Sequence, residues 1–381
     1  MKKLLIATDG FLPRWDGISS FLNELIPRIE DDYQLTVIAP DLGELAPKYK
    51  ARIIRFKILK VRLADNYYSA IVDYRTVSKE VQKADLVWVQ CIGPIGIAGI
   101  IAGKRHRKPV IMYNHMLEWE VFPNSQGIDF IKLPINIITK AIAIWLYNMC
   151  TIIIVPSSDH AELLSLLRIN SEKRVVHLGV DINLYKPPQS KEKAKEDIGI
   201  DPRKFVVGYG GRVSLEKDLK TLHRAFIRLT KKYDNCILLI AGGGRPEIER
   251  LFRGKENIII TGPKDNLVPY YQAMDVYVLP SLIETTSLTT MEAMACEVPV
   301  IVTPVGFIRE YINDGANGLI FPKKNSYALY TKIVYLMENE AARERMGKKA
   351  RETIVKNYTW EKTSEGIRKV LDSVMVPLKK H

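Results

Sequence analysis

Residues 280–306, PSLIETTSLTTMEAMACEVPVIVTPVG, decide the fold. They follow an apolar run, Val276 to Leu279, that reads as a buried parallel strand. A short polar loop begins at Pro280 and Ser281, with Glu284 at its head. Leu288, Met291, Ala295 and Cys296 then recur near the helical period. Thr286 or Ser287 is placed to cap that helix, and Pro299 stands close beyond its end. A second apolar strand runs from Pro299 to Thr303. The unit is therefore strand, loop, helix, strand. Its loop lies at the carboxyl end of a parallel strand, where open α/β sheets bind ligands. The helix start offers unpaired amides and partial positive charge to a phosphate. Glu292, just over one turn into the helix, is placed to accept hydrogen bonds from a pair of sugar hydroxyls. Glu284 reaches a second polar part of such a ligand. Two glutamates at this spacing are, taken alone, ordinary solvated carboxylates.

The flanking residues shift that reading. PS-x-x-E-x7-E-AMA-x-x-x-PVI-x-T resembles the donor-site signature of the retaining family 4 glycosyltransferases. That resemblance implies an α/β chain with the GT-B fold, two Rossmann-like doubly wound domains facing a cleft. Family members usually carry glycine after the first Glu, where this chain has Thr285, Thr286 and Ser287. The ETTSL wording is nearer to the ET-x-GL of glycolipid-making members, of the diacylglycerol glucosyltransferase and phosphatidylinositol mannosyltransferase kind.

Further segments carry the same resemblance. In DGFLPRWDGI the phrase D-x-F-x-P-x-x-DG-I matches the family's first loop, with Gly17 at the phosphate-facing glycine. Read by itself, one glycine there is a plain turn that also permits close backbone approach. IGPIGIAGIIAGKRHRKPVIMYNH gives a turn, a small-residue helix, a basic loop and a strand ending near His115, which the match sets against the donor sugar. Glu118 and Trp119 in the following loop are acceptor-side candidates. FVVGYGGRVSLEKDLKTL reads as strand, glycine turn and helix. Its GGR-x-x-x-EK-D-L resembles the diphosphate motif, in which Arg212 and Lys217 neutralise the leaving pyrophosphate. The loop GPKDN, from Gly262, matches the place of the nucleotide base. Donor binding is thus expected from Gly17, Arg212, Lys217, Ser287, Leu288, Thr289 and Glu292, and catalysis from His115, Arg212, Lys217 and Glu284. The resemblance implies domains at 1–187 and 188–357, with a C-terminal helix at 358–381 returning to the first.

Composition sets the outer limits. The 381 residues, 47% of them hydrophobic, suffice for two domains with ample core. Cys91, Cys150, Cys236 and Cys296 sit in apolar runs without metal spacing and read as buried thiols of a reducing compartment. KKLLIATD opens directly on a strand, too short for a signal peptide and interrupted by Asp9. No GKS or GKT follows the glycine turn of ILLIAGGG, which excludes an ATPase P-loop. The net charge of +13 suits nucleic acid, an anionic membrane or anionic small substrates. No RNA-binding signature is present, so nucleic acid is not expected. Residues 51–110 carry 12 Lys and Arg against 4 Asp and Glu, a local patch rather than an even coat.

Within that patch, RIIRFKILKVR (52–62) reads either as an edge strand guarded by its charges or as a contact for anionic lipid head groups. Residues 141–158 carry no charge, at the lower edge of a spanning length. Thr151 to Val155 is β-branched and reads as a core strand, which leaves a helix of about 17 residues, too short to span. That helix is a buried core element or an interfacial anchor. The combined expectation is retaining hexosyl transfer from a nucleotide diphosphate sugar to a membrane lipid at the inner face of the cell membrane. No metal or other cofactor is expected, since no DxD signature stands in a fitting place. A soluble saccharide acceptor, or a non-catalytic basic binding protein, are the rival readings.

Overall fold

The computed structural model describes residues 1–14, 16–43, 49–64, 67–115, 117, 119 and 129–375. The chain divides into two compact units, one of residues 1–177 with 360–381, the other of 178–359. The first boundary falls ten residues before the position set from sequence, the second two residues after it.

The first unit holds a seven-stranded sheet. Its strands are β1 (Lys2–Ala7), β2 (Tyr33–Pro40), β3 (Arg52–Phe56), β6 (Leu86–Val89), β7 (Val110–Tyr113), β8 (Ile152–Val155) and β9 (Glu172–Val175). Spatial order is β3-β2-β1-β6-β7-β8-β9, with every pairing parallel. Between β3 and β6 an antiparallel hairpin of β4 (Ile58–Ala64) and β5 (Tyr67–Ala70) is inserted. The helices are α1 (Gly17–Ile29), α2 (Tyr74–Lys83), α3 (Pro94–Arg105), α4 (Asp129–Tyr147) and α5 (Ser158–Leu166). β6, β7 and β8 are buried at every position, as strands covered on both faces must be.

Two ambiguous stretches take definite form. The 52–62 run is not one strand, because the chain leaves the sheet at Lys57, whose carbonyl accepts the Ile71 amide at 2.7 Å. Its first half, β3, is the sheet edge. There Arg52 pairs with Glu80, and the Arg55 guanidinium lies 5.1 Å from the Phe11 ring centre. Those two charges guard an edge and cover an aromatic, as the edge-strand reading requires. α4 has two faces. Ala143, Leu146 and Tyr147 are buried, whereas Ile137, Ile138, Ile142 and Trp145 are 46–60% exposed. Among the described residues, no helix is long and apolar enough to cross a membrane.

The second unit has a six-stranded parallel sheet of β10 (Phe205–Gly210), β11 (Cys236–Ala241), β12 (Ile258–Ile260), β13 (Val276–Leu279), β14 (Val300–Val302) and β15 (Leu319–Ile320). The order is β12-β11-β10-β13-β14-β15. Its helices are α6 (Lys191–Glu196), α7 (Leu219–Thr230), α8 (Pro246–Glu249), α9 (Val268–Ala273), α10 (Leu288–Ala295), α11 (Ile308–Tyr311), α12 (Ser326–Glu338) and α13 (Glu340–Asn357). Strand order reverses between β10 and β13, so the loops after these strands open a crevice at their carboxyl ends. Beneath the sheet, Lys195 and Asp275 form a buried ion pair at 2.8 Å, and Asp275 also accepts the Val206 amide at 2.7 Å. The last helix, α14 (Trp360–Met375), belongs to the first unit. Its Trp360 lies 6.0 Å from the Phe21 ring, and Arg368 and Asp372 pair with Asp32 and Lys2.

Candidate active site

In the second unit the reversal of strand order brings the loops after β10 and β13 together. Residues 215–217 form a 3-10 turn after β10, and Leu282 donates its amide to the Glu216 carbonyl at 2.8 Å. That contact ties the two loops side by side. The Lys217 ammonium pairs directly with the Glu284 carboxylate, which also accepts the Ser281 hydroxyl at 2.8 Å. Only 18% of the Lys217 side chain and 9% of Glu284 is exposed, so the pair is strongly coupled. Arg212 differs. Its guanidinium is 68% exposed and 2.9 Å from Glu216, a rim contact that water screens. The structure thus places one of the two predicted diphosphate cations against the predicted sugar carboxylate and leaves the other at the surface.

The start of α10 departs from expectation in detail. Ser287 is the N-cap, as one of two candidates, but it makes no side-chain bond to a helix amide. Its hydroxyl accepts instead from Thr290 at 2.9 Å. The Leu288 amide is occupied by the Thr286 carbonyl at 3.1 Å, because the loop turns tightly into the helix. Thr289 joins its hydroxyl to Tyr277 at 2.9 Å. An N-terminus without a side-chain cap keeps its partial positive charge for an incoming anion.

Glu292 points to the inner side of α10. Tyr271, from α9, donates its hydroxyl to this carboxylate at 2.9 Å, and Tyr185 hydrogen-bonds it as well. Burial drives its pKa from 4.5 up to about 7, and the two tyrosine hydrogen bonds oppose that rise. The glycine turn after β11 has a packing cause. A Cβ on Gly242 would meet the Gly211 carbonyl at 1.9 Å, and one on Gly244 the Val213 carbonyl at 2.1 Å. These glycines let adjacent loops touch, in keeping with a tight connection rather than a phosphate loop. The GPKDN loop begins at Gly262, in the left-handed region at φ 69°.

In the first unit, Gly17 is the first residue of α1, which Asp16 caps by accepting the Ser19 amide at 2.8 Å. No atom lies within 4 Å of where a Gly17 Cβ would stand, so internal packing does not demand glycine there. His115 follows β7. Its ring stacks on Tyr113 at 4.3 Å and meets Phe21 edge-on at 4.8 Å. Its Nε2 is 3.0 Å from the Gln90 side-chain oxygen at the end of β6. Burial lowers the His115 pKa to about 3, so the ring is neutral near pH 7. Trp119 is 4% exposed, its ring against Tyr147. The indole is thus packed into the core of the first unit. Glu118 lies outside the described residues. Among those described, no group of three or more His, Cys, Asp or Glu side chains is set to hold a metal ion.

Sequence reasoning missed Ser281, Gln90, Tyr185 and Tyr271. Ser281 lay within the quoted signature without a role. The others carry no local signal, because their partners stand 25, 107 and 21 positions away.

The fold and these loops define an α/β protein of two doubly wound sheets, and comparison with known proteins agrees. Residues 15–184 match the model of Glycosyltransferase Family 4, and residues 190–353 that of Glycosyl transferases group 1. An alpha-monoglucosyldiacylglycerol synthase of Acholeplasma laidlawii is 25% identical over 68% of this chain and 67% of its own length. A GDP-mannose-dependent alpha-(1-6)-phosphatidylinositol monomannoside mannosyltransferase of Mycolicibacterium smegmatis is 22% identical over 94% of this chain and 95% of its own. Two other curated relatives are matched over only 58% and 61% of their length. Among solved structures, Anabaena HepE in complex with UDP superimposes with a TM-score of 0.78 at 18% identity, over 97% of this chain and all of its own. The chain belongs to the family 4 glycosyltransferases and has the GT-B fold, with two Rossmann-like domains.

Proposed function

We propose that this chain transfers a hexose, with retention at the anomeric carbon, from a nucleotide diphosphate sugar to a hydroxyl of a membrane lipid. The observation that carries the reading is the grouping of Lys217, Glu284 and the α10 start on adjoining loops at the strand reversal of the second unit. Glu292 holds the ribose and Glu284 a sugar hydroxyl. Arg212, Lys217 and the partial positive charge at the α10 start neutralise the departing diphosphate, an electrostatic stabilisation of developing charge. His115, neutral, positions the sugar, and Gly17 gives the donor phosphate close backbone approach. The anomeric carbon–phosphate oxygen bond breaks as the acceptor oxygen bonds on the same face. The acceptor proton passes to an oxygen of the leaving diphosphate. This route needs neither an enzyme nucleophile nor a metal, and activity is expected to persist in excess chelator.

The lipid acceptor draws on two observations. Both relatives described above are named for products or substrates built on diacylglycerol or phosphatidylinositol. α4 also exposes a stripe of Ile137, Ile138, Ile142 and Trp145, the pattern of a helix lying in an interface. The basic excess of the chain would hold that helix to an anionic leaflet, at the inner face of the cell membrane.

The test is transfer from UDP-glucose or GDP-mannose to vesicles containing diacylglycerol or phosphatidylinositol, with the product's anomeric configuration read by NMR. An α-linked glycolipid is the expected product. Transfer only to soluble saccharides would replace the lipid acceptor. No transfer from either donor, with no nucleotide binding, would overturn the enzyme reading.

A further inference from the structure

We infer that Tyr271 and Tyr185 are positioning residues for Glu292, a two-hydroxyl clamp that holds its carboxylate in place. The inference rests on the reading of Glu292 as the ribose-binding group.

The geometry supports a built clamp. Tyr271 is fully buried, and its hydroxyl donates to Glu292 at 2.9 Å. Room for it is written into β10. A Cβ on Gly210 would stand 2.6 Å from the Tyr271 ring and 2.8 Å from its oxygen, so this strand position excludes any other residue without displacement. Tyr185 comes from outside the sheet, on the segment of the second unit that precedes α6. That segment is strapped down where Arg351 donates to the Tyr185 carbonyl at 3.1 Å and Gln272 to the Lys186 carbonyl at 2.7 Å. The Tyr185 and Tyr271 rings lie 6.1 Å apart. Two hydroxyls from separate segments thus converge on one carboxyl.

The chemistry gives the arrangement a purpose. A carboxyl accepts the two hydroxyls of a ribose most strongly when ionised, and burial opposes ionisation. Among the described residues, the neighbouring groups able to add charge are few. Cys296, just past the end of α10, has a thiol that burial keeps neutral, and Tyr277 of β13 a phenol that burial keeps neutral, while Lys191 of α6 and Arg351 of α13 lie near the thiol. The cause lowering the Glu292 pKa is hydrogen bonding by the two tyrosines. Removing either hydroxyl must therefore raise the pH at which the site becomes competent, without emptying the core, since a phenylalanine keeps the ring.

The clamp is tested directly by carboxyl 13C NMR of glutamate-labelled protein, with the Glu292 signal assigned by its absence in Glu292→Gln. Tyr271→Phe and Tyr185→Phe are expected to move its midpoint upward, by about one pH unit for Tyr271→Phe. An unchanged midpoint in both overturns the inference. Calorimetric titration of UDP and GDP between pH 5.5 and 9 tests the ribose reading separately. The nucleotide's own phosphate ionises within this range, so Glu292→Gln supplies the background profile. In Tyr271→Phe the affinity is expected to fall about tenfold more steeply at low pH and to return to near the wild-type value at pH 9. A midpoint that moves in NMR while Glu292→Gln binds both nucleotides as tightly as wild type keeps the clamp and removes the ribose role. A purely structural tyrosine would lower the melting temperature and leave both profiles in register.

Discussion

The Lys217 ammonium neutralises the Glu284 carboxylate, which has little access to water. Truncating it leaves that charge unpaired, and breaking such a pair costs about 3 kcal/mol or more. Lys217→Ala is therefore expected to lower the denaturant midpoint, whereas Glu284→Gln, which removes the buried charge, costs less. Both abolish transfer under the proposed chemistry. Equal stability of Lys217→Ala and wild type in urea unfolding would show that the pair is solvated. Arg212→Ala, at the exposed rim, is expected to leave stability within about 0.5 kcal/mol and to slow transfer. The spacing of these residues was legible because motif and loop coincide. What Lys217 touches was not legible, since an ammonium takes whichever partner the fold brings to it.

Elements were legible where burial is uniform. β10, β13 and β14 read from sequence as unbroken apolar runs because both faces of a parallel sheet are covered. The 52–62 run misled because a strand and a hairpin arm share the same mix of basic and apolar residues, and only the carbonyl of Lys57 marks the break. α4 was ambiguous for a related reason. Its sequence sets Lys132, Asn136 and Lys140 among long apolar residues, so composition could not say which side faces out. The structure resolves this into a buried face and an exposed stripe. Moving an exposed isoleucine into a bilayer interface yields on the order of 1.5–3 kcal/mol if burial is complete. Ile138→Ser with Ile142→Ser is thus expected to weaken sedimentation with anionic vesicles by tenfold or more while leaving the melting temperature unchanged. A fall in melting temperature instead would mean that the stripe is covered within the protein.

The whole molecule carries two opposed sets of buried acids and bases. Asp9 accepts the Ile95 and Gly96 amides at 3.0 Å, yet burial raises its pKa to about 6, beside about 7 for Glu292. Groups raised on folding give most stability below their unfolded values, and that stability is lost as pH rises through about 4 to 7. His115 and His160 run the other way, lowered by burial to about 3 and about 4. Their share is intact above pH 6.5 and is lost as pH falls towards those values. The two trends offset each other, and the wild type is expected to melt at nearly constant temperature between pH 4.5 and 6.5. Glu292→Gln removes one side of the balance. Its melting temperature should fall faster than that of wild type as pH drops through this window, as differential scanning fluorimetry across buffers would register.

The placement of α14 also has a consequence for biosynthesis. The helix that covers α1 is translated only after the whole second unit. At roughly 5–20 residues per second, the 182 intervening residues hold the first unit unfinished for about 10–40 s on the ribosome. During that interval the surface later met by Trp360, Ile367 and Leu371 is bare, and a chaperone has its longest opportunity to bind there. The second unit, contiguous in sequence, matures while the earlier one waits for its last helix.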